Sequence, residues 1–231
     1  MQRAIVVFLV YAKSINPKVL FHIDAVQGYC KLPINLEDIG ADYMTISSHK
    51  IHGPKGVGAL VVKKKTKLTP QIIGGGQEEG FRSGTENLPS VMGFAHSAKK
   101  QCKSLPERYE KIKEYKISFF EKIKAIAEAD GIELVLNGDL LNSSPYILSI
   151  AFPGIKAEIL LHSLENHNIY VGTGSACNSK HKSNRVLSSM GKTASEVEGN
   201  IRLSFCEESL SYDKDFLASK IIECVKNIRR K

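Results

Sequence analysis

A single lysine lies between two histidines in the stretch SSHKIHGPKG, residues 47–56, directly after an apolar run and before a glycine-bearing turn. The Lys50 amine can lose its proton in a partly desolvated site and attack an aldehyde. The Ser47 hydroxyl, the His49 imidazole and the N–H groups of the turn are donors suited to an anionic phosphate. The residues also leave open a solvated lysine and a His52 that merely packs in the turn.

A carboxylate precedes this stretch by one strand and one crossover. Asp24, in the string HIDAVQ, ends a predicted strand at 18–24, and Lys50 follows a predicted strand at 43–49. Adjacent parallel strands would bring both side chains to the same edge of a sheet. In pyridoxal phosphate (PLP) the ring withdraws electrons while its nitrogen is protonated, and a nearby aspartate favours that cation. Gln27 would then reach the phenolic oxygen, whereas an Asp24 that caps the next helix is the open alternative.

A cysteine in a polar segment is the third reactive group. The string VGTGSACNSKHKS, residues 171–183, places Cys177 after two glycines and before a basic triplet. Glycines permit a mobile loop, and positive charge favours a thiolate. Cys206 and Cys224 lie in apolar patterns typical of buried, inert thiols. The triplet's His181 is equally consistent with an ordinary surface residue.

Four strings in this order resemble the PLP-dependent cysteine desulfurases of the NifS/IscS type, within the class V aminotransferases: FHIDAVQ, SSHKIHGPKGVGAL, GGGQEEGFRSGTEN and GSAC. The similarity runs from about Lys18 to the C-terminus. The resemblance implies a role for each matching residue. At the cofactor, Lys50 binds the aldehyde and relays protons, Asp24 contacts the pyridine nitrogen, Gln27 contacts the phenolate oxygen, and Ser47 and His49 bind the phosphate. Thr85 contacts the phosphate bound by the partner subunit of a homodimer, Arg202 holds the substrate carboxylate, and Cys177 accepts the sulfur.

The activity that this resemblance implies is conversion of L-cysteine to L-alanine, which leaves a persulfide on Cys177. The sulfur would pass to an acceptor protein for iron–sulfur cluster assembly or tRNA thiolation. Two alternatives stay open. The chain could be a non-catalytic fragment that dimerises or binds a sulfur acceptor, or a related selenocysteine lyase or cysteine sulfinate desulfinase.

The order of predicted elements indicates an α/β chain. Strands are predicted at 18–24, 43–49 and 56–64, helices from Leu88 to about Glu128, and strands and helices after that, including a strand over NIYVGTG at 168–174. The resemblance implies PLP fold type I. Residues 1–104 would form the C-terminal portion of the PLP-binding large domain, and residues 105–231 a bridging helix and an α+β small domain that carries the cysteine loop.

The composition of the chain bears on which partners and which cellular compartment to expect. The chain has 231 residues, 42% of them apolar, and its net charge of +8 is spread along the sequence, so we expect no direct nucleic-acid contact. The run KKKTK at 63–67 is interpreted as a solvated turn rather than an RNA or membrane contact. Five cysteines without a C-x-x-C pair fit neither a disulfide framework nor a zinc site, which favours a reducing cytoplasm.

The N-terminus departs from the family pattern. MQRAIVVFLVYAKS has a basic start and a short apolar run, so a signal peptide competes with a buried strand or a helix-edge segment; it is too short to span a bilayer. The sequence lacks the family's N-terminal portion, which carries a glycine loop for phosphate, a histidine stacked on the PLP ring and an asparagine near the substrate carboxylate. We therefore expect a truncated, frameshifted or split gene product with exposed sheet edges and marginal stability. Gly172 and Asn178 also replace expected hydroxyl residues.

Overall fold

The structure is a computed structural model that describes residues 2–174 and 184–229. The chain divides into two compact units, Met1–Glu107 and Arg108–Lys231. Assigning these units to a large PLP-binding domain and a small domain stays a prediction. No helix in the described part of the chain is both long enough and apolar enough to cross a membrane.

The first unit contains a three-stranded sheet in the order β1-β2-β3. Its helices and strands, in chain order, are α1 (Gln2–Ile15), β1 (His22–Asp24), α2 (Leu36–Ile39), β2 (Tyr43–Ser47), β3 (Gly58–Val62) and α3 (Leu88–Lys103). β1 and β2 are parallel, with Asp24 opposite Thr45, and β3 is antiparallel to β2. The predicted parallel pairing of the first two strands is confirmed.

The alternation of apolar and polar residues in β2 decides which face of the sheet is buried. Met44 and Ile46 are buried and pack with Ile51 and with Phe94 of α3. Thr45, which alternates with them, lies on the opposite, less buried face, as do the exposed first and last residues of β1. One face therefore supplies the core, and the other carries polar groups toward the strand ends.

The N-terminal stretch forms a helix, so the buried strand, one of the alternatives left open for it, is wrong. Leu9 of α1 is buried against Ile39 and Ala41. The Lys13 ammonium donates to Asp42 over 3.1 Å, and this ion pair connects α1 to the start of β2. Although burial opposes it, the Phe21 N–H and the Lys13 ammonium hold the pKa of Asp42 below its ordinary value.

The second unit contains a three-stranded antiparallel sheet in the order β4-β5-β6. The elements that complete the chain are α4 (Leu105–Ala129), β4 (Val135–Leu136), β5 (Ile147–Ala151), α5 (Ala157–Glu165), α6 (Arg185–Ser189), α7 (Ala194–Glu198), β6 (Asn200–Ser204) and α8 (Lys214–Arg229). α4, α5 and α8 cover the sheet with a continuous apolar core that includes Phe119, Ile123, Leu160, Ile201 and Ile221.

The predicted strand at 168–174 is wrong. α5 ends at Glu165, and Asn168 then adopts a left-handed conformation with φ 58°, so the chain turns before it extends. Only Gly172 pairs with β6, through an isolated antiparallel bridge to Arg202. A strand needs several successive pairs, and this segment forms a single one.

Candidate active site

The carboxyl ends of β1 and β2 meet at one edge of the first unit's sheet. Asp24 is the last residue of β1, and Ser47 is the last residue of β2. The pairing continues one residue further, because the Ala25 N–H donates to the Thr45 carbonyl over 2.9 Å. In parallel α/β sheets this edge is where ligands bind.

Lys50 lies in a single 3₁₀ turn, Ser48–Ile51, that follows β2 directly. The neighbouring Ile51 is 2% exposed and anchors the turn in the apolar core. Lys50 itself is half-buried and forms no hydrogen bond or ion pair with the residues the structure describes. An amine in this position is available to a ligand.

Two backbone features end the Lys50 turn sharply. His52 adopts a left-handed conformation with φ 65°, and its N–H donates to the Ser48 carbonyl. Gly53 follows it, and a Cβ at that position would collide with Ser48 Oγ. The sequence interpretation of His52 as a turn residue agrees with its backbone, and glycine is needed beside it for space.

Ser47 and His49 form a pair beside the lysine. Ser47 Oγ and His49 Nδ1 lie 2.8 Å apart, and the imidazole is exposed. With the ring protonated on Nε2, the hydroxyl donates to Nδ1 and the Nε2 N–H is left to donate to an anion. The pair therefore has the donor that a phosphate oxygen requires.

The Asp24 carboxylate stabilises a local turn. Its Oδ1 accepts a hydrogen bond from the Val26 N–H over 3.0 Å, and Oδ2 accepts none from the residues described here. A short hydrogen-bonded turn follows β1 where the alternative interpretation placed a capped helix. Gln27 lies exposed in this turn. The carboxylate keeps one oxygen and an exposed position for a ligand.

Lys31 lies near this site and could not be predicted from the sequence to do so. Burial lowers the pKa of Lys31, and the charge of Lys50 lowers it further. The chain after Asp24 therefore returns to the neighbourhood of Lys50. No periodicity or motif marks Lys31 in the sequence, since its proximity depends on the course of the turn.

Thr85 lies exposed in the glycine-rich loop that precedes α3. The loop is held by the Gly84 N–H, which donates to Gln77 Oε1 over 3.0 Å, and by the Ser83 N–H, which donates to the Ile72 carbonyl over 3.1 Å. The role of Thr85 at a partner subunit's phosphate stays a prediction.

Arg202 belongs to the second unit, on β6. Its Nη1 donates to the Gly174 carbonyl over 2.6 Å, and its buried Nε has no acceptor among the residues described. A Cβ at Gly172 would lie 3.0 Å from Arg202 Nη2. Glycine at 172, a departure from the expected sequence, leaves room for the guanidinium. Cys177, Asn178 and His181 lie outside the described residues.

Comparison with known proteins assigns the family. The model of the family "Aminotransferase class-V" matches residues 6–213. The chain belongs to the class-V aminotransferase family. Its members are PLP enzymes, as the sequence resemblance implied.

The relatives of the class-V chain are cysteine desulfurases by name. The putative cysteine desulfurase IscS 1 of Bacillus subtilis is 33% identical over 213 residues, which cover 91% of this chain and 55% of that protein. A solved NifS-like protein is 31% identical with a TM-score of 0.82, and the match covers 96% of this chain and 57% of that one. A NifS-like protein from Rickettsia africae is 29% identical with a TM-score of 0.76 and coverage of 98% and 58%. The chain spans about half the length of these relatives, and the expected fold type I is confirmed.

The donor set at the sheet edge fits PLP. Lys50 offers an unpartnered amine for the aldehyde, Asp24 a carboxylate oxygen for the ring nitrogen, and Ser47 with His49 a donor pair for the phosphate. All four residues belong to the first unit and lie at or beyond the ends of two adjacent parallel strands. Their individual roles stay predictions.

Proposed function

We propose that the chain carries the cofactor-binding part of a PLP-dependent cysteine desulfurase, which takes sulfur from L-cysteine and leaves L-alanine. The observation that supports this most is the common position of Asp24 and Lys50 at the carboxyl edge of the β1–β2 pair, with the Lys50 amine unpartnered among the described residues. The names of the relatives supply the reaction class.

Bound PLP supplies an electron-withdrawing ring next to the substrate carbon. Lys50 Nζ holds the cofactor and moves a proton, and Asp24 stabilises a positive charge on the ring nitrogen. Arg202 orients the substrate carboxylate with its planar fork. The Cys177 thiolate takes the substrate sulfur and holds it as a persulfide.

We also propose a homodimer, an acceptor protein and a cytoplasmic location for the chain. A homodimer would let Thr85 reach a partner's phosphate, and an acceptor protein for iron–sulfur assembly or tRNA thiolation would collect the sulfur. A cytoplasmic location supplies the reducing conditions that a free thiolate needs. Light scattering of the PLP-loaded chain tests the dimer, and a monomeric mass contradicts it.

We expect Cys177→Ala to abolish sulfur capture while PLP binding persists, because the thiol is the proposed sulfur acceptor and PLP is held by the first unit. The measurement is the mass of the PLP-loaded chain after incubation with L-cysteine, which should show one reducible sulfur on the wild-type chain. Cys206→Ala is the matched control and should keep the adduct. A colourless chain without any adduct would favour the non-catalytic function.

Arg202→Lys should weaken amino-acid binding about 10- to 100-fold, because an ammonium cannot make the two parallel hydrogen bonds of a guanidinium, and a charge-assisted bond contributes about 1.5–3 kcal/mol. Titration of the PLP-loaded chain with L-alanine, followed by absorbance, measures the affinity. Arg229→Lys, which changes an exposed arginine, is the control and should leave the affinity for L-alanine unchanged. Equal affinity of the wild-type and Arg202→Lys chains contradicts the role.

A further inference from the structure

Two cysteines outside the proposed catalytic set lie in contact within the first unit. Cys30 Sγ and Cys102 Sγ are 3.0 Å apart, although 72 residues separate them in the chain. Cys30 is 4% exposed, whereas Cys102 is exposed near the C-terminus of α3. A buried thiol and an accessible thiol therefore face each other.

The local fold holds the two sulfurs together. Cys30 adopts a left-handed conformation with φ 54° at the end of the turn after β1. Phe94, Ala98 and Cys102 recur at four-residue intervals along α3, so they lie on one face of the helix. The Tyr29 ring meets the Phe94 ring edge-on at 6.3 Å, and Cys30 Sγ lies 3.9 Å from the Ala98 carbonyl oxygen.

Tyr29, next to Cys30 in the chain, lies beside both cysteines. Burial raises the pKa of Tyr29 to about 12, and the neighbouring Cys30 and Cys102 contribute in the same direction. Both cysteines therefore lie close to one half-buried phenol, between the turn after β1 and α3.

We propose that Cys30 and Cys102 are a reversible disulfide site, oxidised by exchange with a low-molecular-weight anionic disulfide such as oxidised glutathione. A separation of 3.0 Å is within the distance at which reacting atoms are poised for attack, about 3–3.5 Å, and closing it to a bond of about 2.05 Å needs a shift of about 1 Å. The exposed Lys99, Lys100 and Lys103 flank Cys102 and attract an anionic reagent.

The exchange proceeds in two displacements. The Cys102 thiolate attacks one sulfur of glutathione disulfide, which breaks its S–S bond and releases one glutathione thiolate. Cys30 then gives its proton to solvent, and its sulfur attacks Cys102 Sγ and releases the second glutathione. Two protein thiols are oxidised and one glutathione disulfide is reduced to two thiols, so the electrons balance.

The resulting bond would close a loop that contains β2, the Lys50 turn, β3 and the glycine-rich segment. It would also connect the turn after β1, next to Asp24 and Gln27, to α3. A cross-link over a loop of this length restricts the unfolded chain, so the oxidised chain should melt higher by about 10 °C.

The test uses the full chain with Cys177→Ser, so that the proposed catalytic thiol does not react. The chain is equilibrated in glutathione buffers of increasing oxidised fraction, quenched with an alkylating reagent, and measured by intact mass and peptide mapping. We expect a loss of the mass of two hydrogens, a peptide pair joined through Cys30 and Cys102, full reversal by reduced glutathione, and the rise in melting temperature.

Matched serine variants make the outcome decisive. Cys206→Ser should keep the joined peptides and the rise in melting temperature. Cys102→Ser changes an exposed residue, so the chain should fold, but it should lose both. A Cys102 that retains glutathione while Cys30 stays alkylatable, a Cys102 joined to another cysteine, or no reaction at either thiol would overturn the proposal.

Discussion

Lys50→Ala should leave the chain without borohydride-stable PLP. The Lys50 amine is the group at the sheet edge that is half-buried, unpartnered among the described residues and next to the Ser47–His49 pair. Removing it takes away the nucleophile that fixes the aldehyde, so the label is lost completely. Reduction of the PLP-incubated chain with borohydride, followed by peptide mass mapping, measures the loss.

The control for this variant is Lys55→Ala, five positions later on the same turn segment and exposed. It removes the same charge and the same functional group, and it should keep the label on Lys50. A wild-type chain labelled at Lys31 would contradict the assignment, because Lys31 is the second amine close enough to interact with Lys50. A uniform low level of label on many exposed lysines would indicate chemical modification without a site.

The parallel pair that carries Asp24 and Lys50 could be predicted because its signals are local. β1 and β2 are short β-branched and apolar runs separated by a helix, α2, whose start at Asn35 and left-handed end at Gly40 follow ordinary capping rules. Neighbouring parallel strands need a crossover such as this helix, so a parallel pair with a common edge was the natural expectation. The edge position of Lys50 therefore depends on few long-range contacts.

Features that depend on packing between distant segments could not be predicted. Gly172 looked like a departure from the family pattern, and it lies against the guanidinium of Arg202, 30 residues later in the chain. Cys30 and Cys102 looked like members of an odd, unpaired set, and only the turn after β1 brings them into contact. The periodicity of apolar residues predicts one helix or strand at a time and does not indicate which turns come into contact.

Ile51→Ala should destabilise the first unit by about 2–5 kcal/mol, since truncating a buried isoleucine removes apolar contacts and leaves a cavity. Ile51 is 2% exposed and packs with the core beneath β2, immediately after Lys50. The same change should weaken PLP retention, because the 3₁₀ turn that positions the amine loses its anchor. Urea unfolding followed by circular dichroism measures the free energy, and borohydride labelling of Lys50 at low urea measures the second effect.

Ile73→Ala separates burial from residue type, because Ile73 belongs to the same unit but is 88% exposed. It removes the same atoms from a side chain that already contacts water, so its free energy of unfolding should change by less than about 0.5 kcal/mol. Equal losses in the two variants would mean that Ile51 is not packed as described. A large loss of stability at Ile51 with undiminished labelling of Lys50 would show instead that the amine keeps its position without this anchor, and that the cofactor site depends on the strand ends alone.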